Sequence, residues 1–227
     1  MNLHAKPNRP FDAAIFDLDG TLLDSLEDIG NAANEVLVSL GKSPHPIADF
    51  RFLVGDGVGV LFQRALPECT TNAELHRECM HRFEQTYASQ WHNRSKPYDG
   101  IPDLLNSLCA QGLKLGVLSN KPDAFTQQCV QHFFPTARFA CVMGHSTNFP
   151  RKPDPASARW MAAQFGVAND RIAYVGDTNT DMKTAVGAGL FAIGVSWGFR
   201  PESELVANGA CVVCHDVASL EATLIQS

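Results

Sequence analysis

Four short stretches hold the residues whose types and spacing could do chemistry. Asp17 and Asp19 stand one residue apart where the apolar run 13–16 ends, and Gly20 follows them. Side chains of a strand alternate, so acids at i and i+2 can point to the same side where the strand runs out. Two carboxylates held together repel and lose hydration, which is tolerable when a cation sits between them and a substrate above. An Asp-Gly pair is also an ordinary turn in which the acid caps its own backbone. Ser119-Asn120-Lys121-Pro122 sets a hydroxyl and backbone amides at a helix head, which is either an oxyanion cradle or a plain cap. Lys152 lies in Phe149-Pro150-Arg151-Lys152-Pro153-Asp154-Pro155, pinned between prolines. A cation held there can neutralise phosphate oxygens and keep a nearby carboxylate ionised. Gly176-Asp177-Thr178-Asn179-Thr180-Asp181 follows the run 172–175 and supplies two more acids. With Asp17 they offer hard oxygen ligands, and Mg²⁺ suits a site of few carboxylates, several waters and a substrate phosphate. The twelve-residue calcium loop with its terminal glutamate is absent.

The elements that must position these groups follow from hydrophobic periodicity. Ser25 with Asp28 approximates a capping box before a helix marked by Leu26, Ile29, Ala33, Val36, Leu37 and Leu40. Gly41, Pro44 and Pro46 end it. Residues 52–66 read as a glycine-bearing loop and a short helix. Thr71 and Glu74 form a capping box for a third helix with Leu75, Cys79, Phe83, Tyr87 and Trp91 on one face. No strand is expected over 24–95. Beyond Tyr98-Asp99-Gly100, helices at 101–111, 122–132, 154–165 and 179–188 alternate with strands at 114–118, 139–143, 171–175, 190–195 and near 210–213. Such βα units build a mainly parallel sheet whose open carboxyl end collects ligands. The expected class is therefore α/β, a Rossmann-like sheet flanked by helices, with an inserted all-helical domain. Its boundaries are a flexible leader over 1–10, a core from 11–23 and 96–227, and a helical cap over 24–95.

Composition narrows the field. Apolar residues make up 45% of the 227 and charged ones 19%, enough for a sizeable core and unlike a disordered chain. A net charge of −6 without a basic block argues against nucleic acid as a partner. Seven scattered cysteines suit reduced thiols in a cytoplasmic protein, and no apolar run is long enough to span a membrane. Cys211-Val212-Val213-Cys214-His215 has no second pair to complete a zinc site and reads as a strand with buried thiols. His132, His145 and His215 stand isolated, and no dinucleotide fingerprint follows the first strand.

The four groups in chain order resemble the haloacid dehalogenase-like hydrolase superfamily. Asp17-Leu18-Asp19-Gly20-Thr21 matches its first motif, Ser119 the second, Lys152 the third, and Gly176-Asp177 with Asp181 the fourth. The resemblance spans about 11–216, and the helical insert is similar to that superfamily's cap. Leu22-Leu23-Asp24-Ser25, Leu53-Val54-Gly55-Asp56-Gly57, Ser119-Asn120-Lys121-Pro122 and Ser196-Trp197-Gly198 resemble its phosphoglycolate phosphatase branch. This implies a phosphomonoesterase working through an aspartyl-phosphate, with 2-phosphoglycolate as the expected substrate and Mg²⁺ as cofactor. Asp17 would be the nucleophile and Asp19 the general acid and base. Lys152, Ser119 and the amides of Leu18 and Asn120 would hold the phosphoryl charge. Asp17, Asp177 and the backbone carbonyl of Asp19 would bind the metal, with Asp181 acting through its water shell or on Lys152.

The resemblance also sorts the rivals. A dehalogenase of this superfamily lacks the second aspartate of the first motif, so Asp19 favours phosphoryl chemistry. A phosphonate hydrolase needs a cap lysine, and only Lys42 lies within 24–95. A phosphomutase, a pyrophosphatase, a phosphatase of sugar phosphates or nucleoside monophosphates, and a non-catalytic binding protein stay open, as do monomer and homodimer. Specificity is expected from Thr21 and from the cap, where Gly55, Asp56 and Gly57 either bring amides to a small carboxylate or form a turn. Arg51 and Arg64 are candidate carboxylate partners.

Overall fold

The computed structural model describes residues 11–225. The expected leader over 1–10 lies outside them. In chain order the elements are β1 (Ala13–Phe16), β2 (Leu23–Asp24), α1 (Leu26–Ser39), α2 (Phe50–Leu53), α3 (Val58–Ala65) and α4 (Ala73–Gln90). There follow β3 (Lys96–Pro97), α5 (Ile101–Ala110), β4 (Lys114–Pro122), α6 (Asp123–Phe133), β5 (Phe139–His145) and α7 (Ala156–Phe165). The chain closes with β6 (Ile172–Gly176), α8 (Asn179–Ala188), β7 (Phe191–Val195), α9 (Glu202–Ala207), β8 (Val212–Cys214) and α10 (Val217–Ile225). It divides into two compact units, 1–22 with 97–227, and 23–96. No helix among the described residues is long and apolar enough to cross a membrane.

The first unit is a Rossmann-like parallel sheet flanked by helices. Its strand order is β5-β4-β1-β6-β7-β8, so β1 is central although it comes first in the chain. Every residue of β1 is buried, as a strand covered on both faces must be. Ile15 packs with Met161, Phe165, Tyr174 and Met182 in one apolar cluster. Each large side chain buried this way contributes about 2 kcal/mol. Register then decides chemistry. Phe16 pairs with Val117 on one side and Val175 on the other, so the residues that follow these three positions lie toward one end of the sheet.

Strand β4 departs from expectation. It was expected to stop at 118, with Pro122 inside the next helix. Instead pairing with β5 resumes after a gap, Leu118 opposite Met143 and Pro122 opposite His145, and α6 begins at Asp123. Four steps along β4 face two along β5, so Ser119, Asn120 and Lys121 ride a bulge, a device that re-aims side chains beside functional sites. A two-residue pattern carries no mark of such an insertion.

The inserted unit is helical. Helix α4 buries Cys79, Phe83 and Tyr87, with Phe83 stacked on Tyr87 at 5.2 Å and edge-on to Phe62 at 5.9 Å. Two caps differ from expectation. Asn72, not Thr71, accepts from the amides of Glu74 and Leu75. Ser25 makes no side-chain cap. Asp28 is not the partner of Ser25. Buried to 2% exposure, its carboxylate accepts from the amides of Arg94 and Ser95 and from the Ser95 hydroxyl at 2.8–3.0 Å. The end of the unit is thus tied to the first turn of α1. Removing this acceptor strands three donors, so Asp28→Ala should lower stability by about 3 kcal/mol, read by urea denaturation, with Asp28→Asn losing less. A change within error would show that these bonds do not anchor the segment.

Candidate active site

The site grows from the register of β1. The Asp17 amide donates to the Val175 carbonyl at 2.9 Å, so Asp17 continues the strand beside the end of β6. Gly176 closes β6, Asp177 follows it, and α8 begins at Asn179 under a reciprocal cap between Thr178 and Asp181. One carboxylate oxygen from each of Asp17, Asp177 and Asp181 can be chosen so that all lie within 4.8 Å of one another. Lys152 reaches this cluster from the loop after β5. Its ammonium donates to Asp17 and Asp181 at 2.8 Å each and to the Leu118 carbonyl at 2.9 Å.

The supports are as specific as the cluster. Asn120 clamps Lys152 from both sides, its amide oxygen accepting from the Lys152 N–H at 2.9 Å and its amide nitrogen donating to the Lys152 carbonyl at 3.0 Å. Asp177 accepts from the Thr21 hydroxyl at 2.9 Å and from the Phe199 amide at 2.8 Å. The Asp181 carboxylate accepts from the Thr178 amide and hydroxyl as well as from Lys152. Ser119 is buried, and its oxygen accepts the Lys121 amide proton at 3.2 Å. Glycine is required where backbone meets Asp177. A Cβ at Gly20, whose φ is +89°, would fall 2.3 Å from an Asp177 oxygen, and one at Gly198 would fall 2.3 Å from the Asp177 Cβ.

The electrostatics follow from crowding. Burial pushes Asp17 up to about 7, with the charge of Asp181 adding to it, Lys152 opposing and Asp19 adding a little. Burial, and then Asp181 and Asp17, hold Asp177 well above the usual carboxylate range. Burial alone would lower Lys152, but the charges of Asp17 and Asp181 outweigh it, so its ammonium stays protonated. Three carboxylates against one ammonium leave the cluster two negative charges in excess when all are ionised, which one divalent cation offsets.

The haloacid dehalogenase-like hydrolase family model matches residues 14–195, which include all four groups. The chain belongs to the haloacid dehalogenase-like hydrolases. The phosphoglycolate phosphatase of Rhodospirillum rubrum is 34% identical over 219 residues, 92% of this chain and 88% of the relative. That of Pseudomonas putida is 30% identical over 210 residues, 91% and 77% of the two chains. A crystal structure from Lactobacillus delbrueckii subsp. bulgaricus, provisionally named a phosphoglycolate phosphatase, superposes with a TM-score of 0.90 at 31% identity, covering 96% of this chain and 100% of the other.

In this haloacid dehalogenase-like hydrolase the fourfold set Asp17, Lys152, Asp177 and Asp181 forms one contact network, with Ser119 and Asn120 in the adjoining bulge. The structure gives several of the expected residues contacts that local sequence does not show. Thr21, expected to shape specificity, is fully buried and spends its hydroxyl on Asp177, so it orients that carboxylate. Arg64 already has a carboxylate, pairing with Asp56 at 2.5 Å and donating to the Leu53 carbonyl within the helical unit. Arg51, Gly55 and Gly57 lie in that unit too, Arg51 over the Phe52 ring and Gly57 at the head of α3. His215 is not isolated, since its Nδ1 lies 3.0 Å from the Ser196 hydroxyl. Residue-by-residue reading passed over Lys121, whose ammonium holds Asp19 at 2.9 and 3.2 Å, and the Phe199 amide with Gly198, which shape Asp177. The Ser-Trp-Gly turn was the available signal for the last two.

Donor type, spacing and excess charge all suit a hard divalent cation. Between the ordinary 3.8 and about 7 the folded protein holds the Asp17 proton more tightly than the unfolded chain does. The contribution of Asp17 to stability therefore falls as pH rises through that window and levels off above it. Thermal melts in EDTA should show this fall, and Mg²⁺ should raise the melting temperature most on its upper side. Asp17→Asn should flatten the EDTA profile; an unchanged slope would show that the crowding at Asp17 is not what sets it.

Proposed function

We propose that this chain is a Mg²⁺-dependent phosphomonoesterase that hydrolyses 2-phosphoglycolate to glycolate and phosphate. The observation that carries the reading is the Lys152 ammonium bridging Asp17 and Asp181 with Asp177 in reach of both. The substrate follows from the name borne by the relatives that match most of the chain. The seven cysteines all lie among the described residues and form no disulfide, which suits a reducing cytoplasm.

Asp17, Asp177 and the backbone carbonyl of Asp19 would hold Mg²⁺, with Asp181 shaping its surroundings. When bound, the ion supplies Lewis-acid charge at phosphoryl oxygens. The Asp17 carboxylate attacks phosphorus, forming an O–P bond as the ester P–O bond breaks. The electron pair of the broken bond stays on the ester oxygen, which takes a proton from Asp19. Water then bonds to phosphorus and gives its proton to Asp19, the Asp17–phosphorus bond breaks, and phosphate and Asp17 are released. The three donors of Lys152 go to Leu118, Asp17 and Asp181. As the Asp17 oxygen turns from ammonium to phosphorus, it frees one of them for a phosphoryl oxygen, matching charge as it develops. Ser119, whose oxygen already accepts from Lys121, keeps its O–H to donate.

Asp17→Asn should lower Mg²⁺-dependent phosphate release by more than about a thousandfold while leaving the fold intact. Side-by-side kcat/KM values on 2-phosphoglycolate, pyrophosphate, a hexose phosphate and a nucleoside monophosphate test the substrate. Equal, feeble rates would reject 2-phosphoglycolate and keep the phosphatase; activity surviving in Asp17→Asn would reject both.

A further inference from the structure

The β4 bulge delivers Lys121 to the second aspartate of the first motif. The Lys121 side chain is 5% exposed, and its Nζ lies 2.9 Å from one oxygen of Asp19 and 3.2 Å from the other. In an uninterrupted strand, residue 121 would follow the alternation set by Leu118, and its side chain would take whichever face that alternation assigns. Here Ser119, Asn120 and Lys121 occupy the extra length between the pairs Leu118–Met143 and Pro122–His145. Two bonds hold this loop in shape. The Ser119 oxygen accepts the Lys121 amide proton, and the Thr126 hydroxyl donates to the Lys121 carbonyl at 3.2 Å. The backbone of Lys121 is thus fixed on both sides before its side chain reaches across to Asp19.

Asp19 itself follows the end of β1 and carries a side chain 17% exposed, less enclosed than Asp17 at 9% or Asp181 at 0%. A carboxylate less enclosed than its neighbours gains from a bond that limits its rotamer. Proton transfer falls off sharply when the donor strays from hydrogen-bond reach of the reacting oxygen. An ammonium spanning both oxygens fixes the tilt of the group and its distance from β4. It leaves each oxygen further lone-pair capacity, so the contact persists through one oxygen when the other carries a proton.

We infer that Lys121 is a positioning residue that aims the Asp19 carboxyl group at the ester oxygen of the leaving group. This rests on the phosphatase reading above, in which Asp19 is the acid and base. Lys121 does not touch phosphorus or take part in bond making. Its removal loosens the hold on Asp19 while Lys152 keeps its contacts to Asp17 and Asp181, and the Phe199 amide keeps Asp177.

The full chain in Mg²⁺ is compared as wild type, Lys121→Met, Asp19→Asn and the double variant. The substrates are 2-phosphoglycolate, whose alkoxide needs a proton to leave, and 4-nitrophenyl phosphate, whose phenolate hardly does. Lys121→Met should lower kcat on 2-phosphoglycolate by roughly 10- to 100-fold and on 4-nitrophenyl phosphate by less than about threefold, and the double variant should be no slower than Asp19→Asn. Equal losses on the two substrates, or multiplicative losses in the double variant, would overturn the assignment. So would a raised KM for 2-phosphoglycolate at unchanged kcat, which would mark Lys121 as a binder of the substrate carboxylate. If Lys121→Met does not fold by circular dichroism, Lys121→Gln takes its place under the same criteria. Failure of the underlying reading looks different: Asp17→Asn would then keep its activity on both substrates.

Discussion

The Lys152 ammonium sits between Asp17 and Asp181 at 2.8 Å from each, and its third donor goes to the carbonyl of Leu118 just before the β4 bulge. A buried ammonium without partners would lose its proton, and buried carboxylates without a cation would take one up. Together they keep a mutual charge that neither could hold alone. The arrangement is still short of neutral, because Asp177 joins the cluster and is held high by burial and by its two neighbours. Much of the surrounding structure keeps this unequal set together. Asn120 clamps the lysine backbone, Thr178 fixes Asp181, and Thr21 with the Phe199 amide fixes Asp177.

A parallel sheet makes such crowding possible. Strand β1 is central, and it pairs in register with β4 and β6 up to Val117 and Val175, so three chain segments deliver polar groups to one edge. Hydrophobic burial along β1 and β6 holds the strands in register, and a slip of one residue would turn Asp17 toward the opposite face. The carboxylates are therefore held in place by the apolar core beneath them. Glycines at 20 and 198 complete the arrangement by letting backbone pass against Asp177 where any Cβ would collide with it.

Of the two register shifts between β4 and β5, after Leu115 and after Leu118, the second lies at the candidate site. The bulge in β4 costs sheet pairing over Ser119, Asn120 and Lys121. In exchange Asn120 clamps the Lys152 backbone and the Lys121 ammonium reaches Asp19 just beyond β1. The helical unit has its own logic of paired charges and stacked rings, with Arg64 on Asp56 and Phe83 on Tyr87, and with Asp28 gathering the amides of Arg94 and Ser95.

Sequence alone determined the α/β class, the alternation of strands and helices, the helical insertion and the four groups that meet at the site. Each of these is written in local pattern. Apolar runs end in acids, prolines stand at helix starts, and Asp17, Lys152 and Asp177 fall in the loops beyond strands, with Ser119 in the β4 bulge. Only the tertiary structure decided which partner each polar atom takes. Asp28 looked like half of a capping box with Ser25, yet it bonds residues 66 and 67 positions away. Thr21 looked available to a substrate and is spent on Asp177, 156 positions along the chain. Lys121 had no role of its own at the expected helix head, and the bulge brings it to Asp19. Periodicity reports which face of an element is apolar. The pairing of polar groups depends on strand register and on the extra length in β4, and neither is encoded within the few residues concerned.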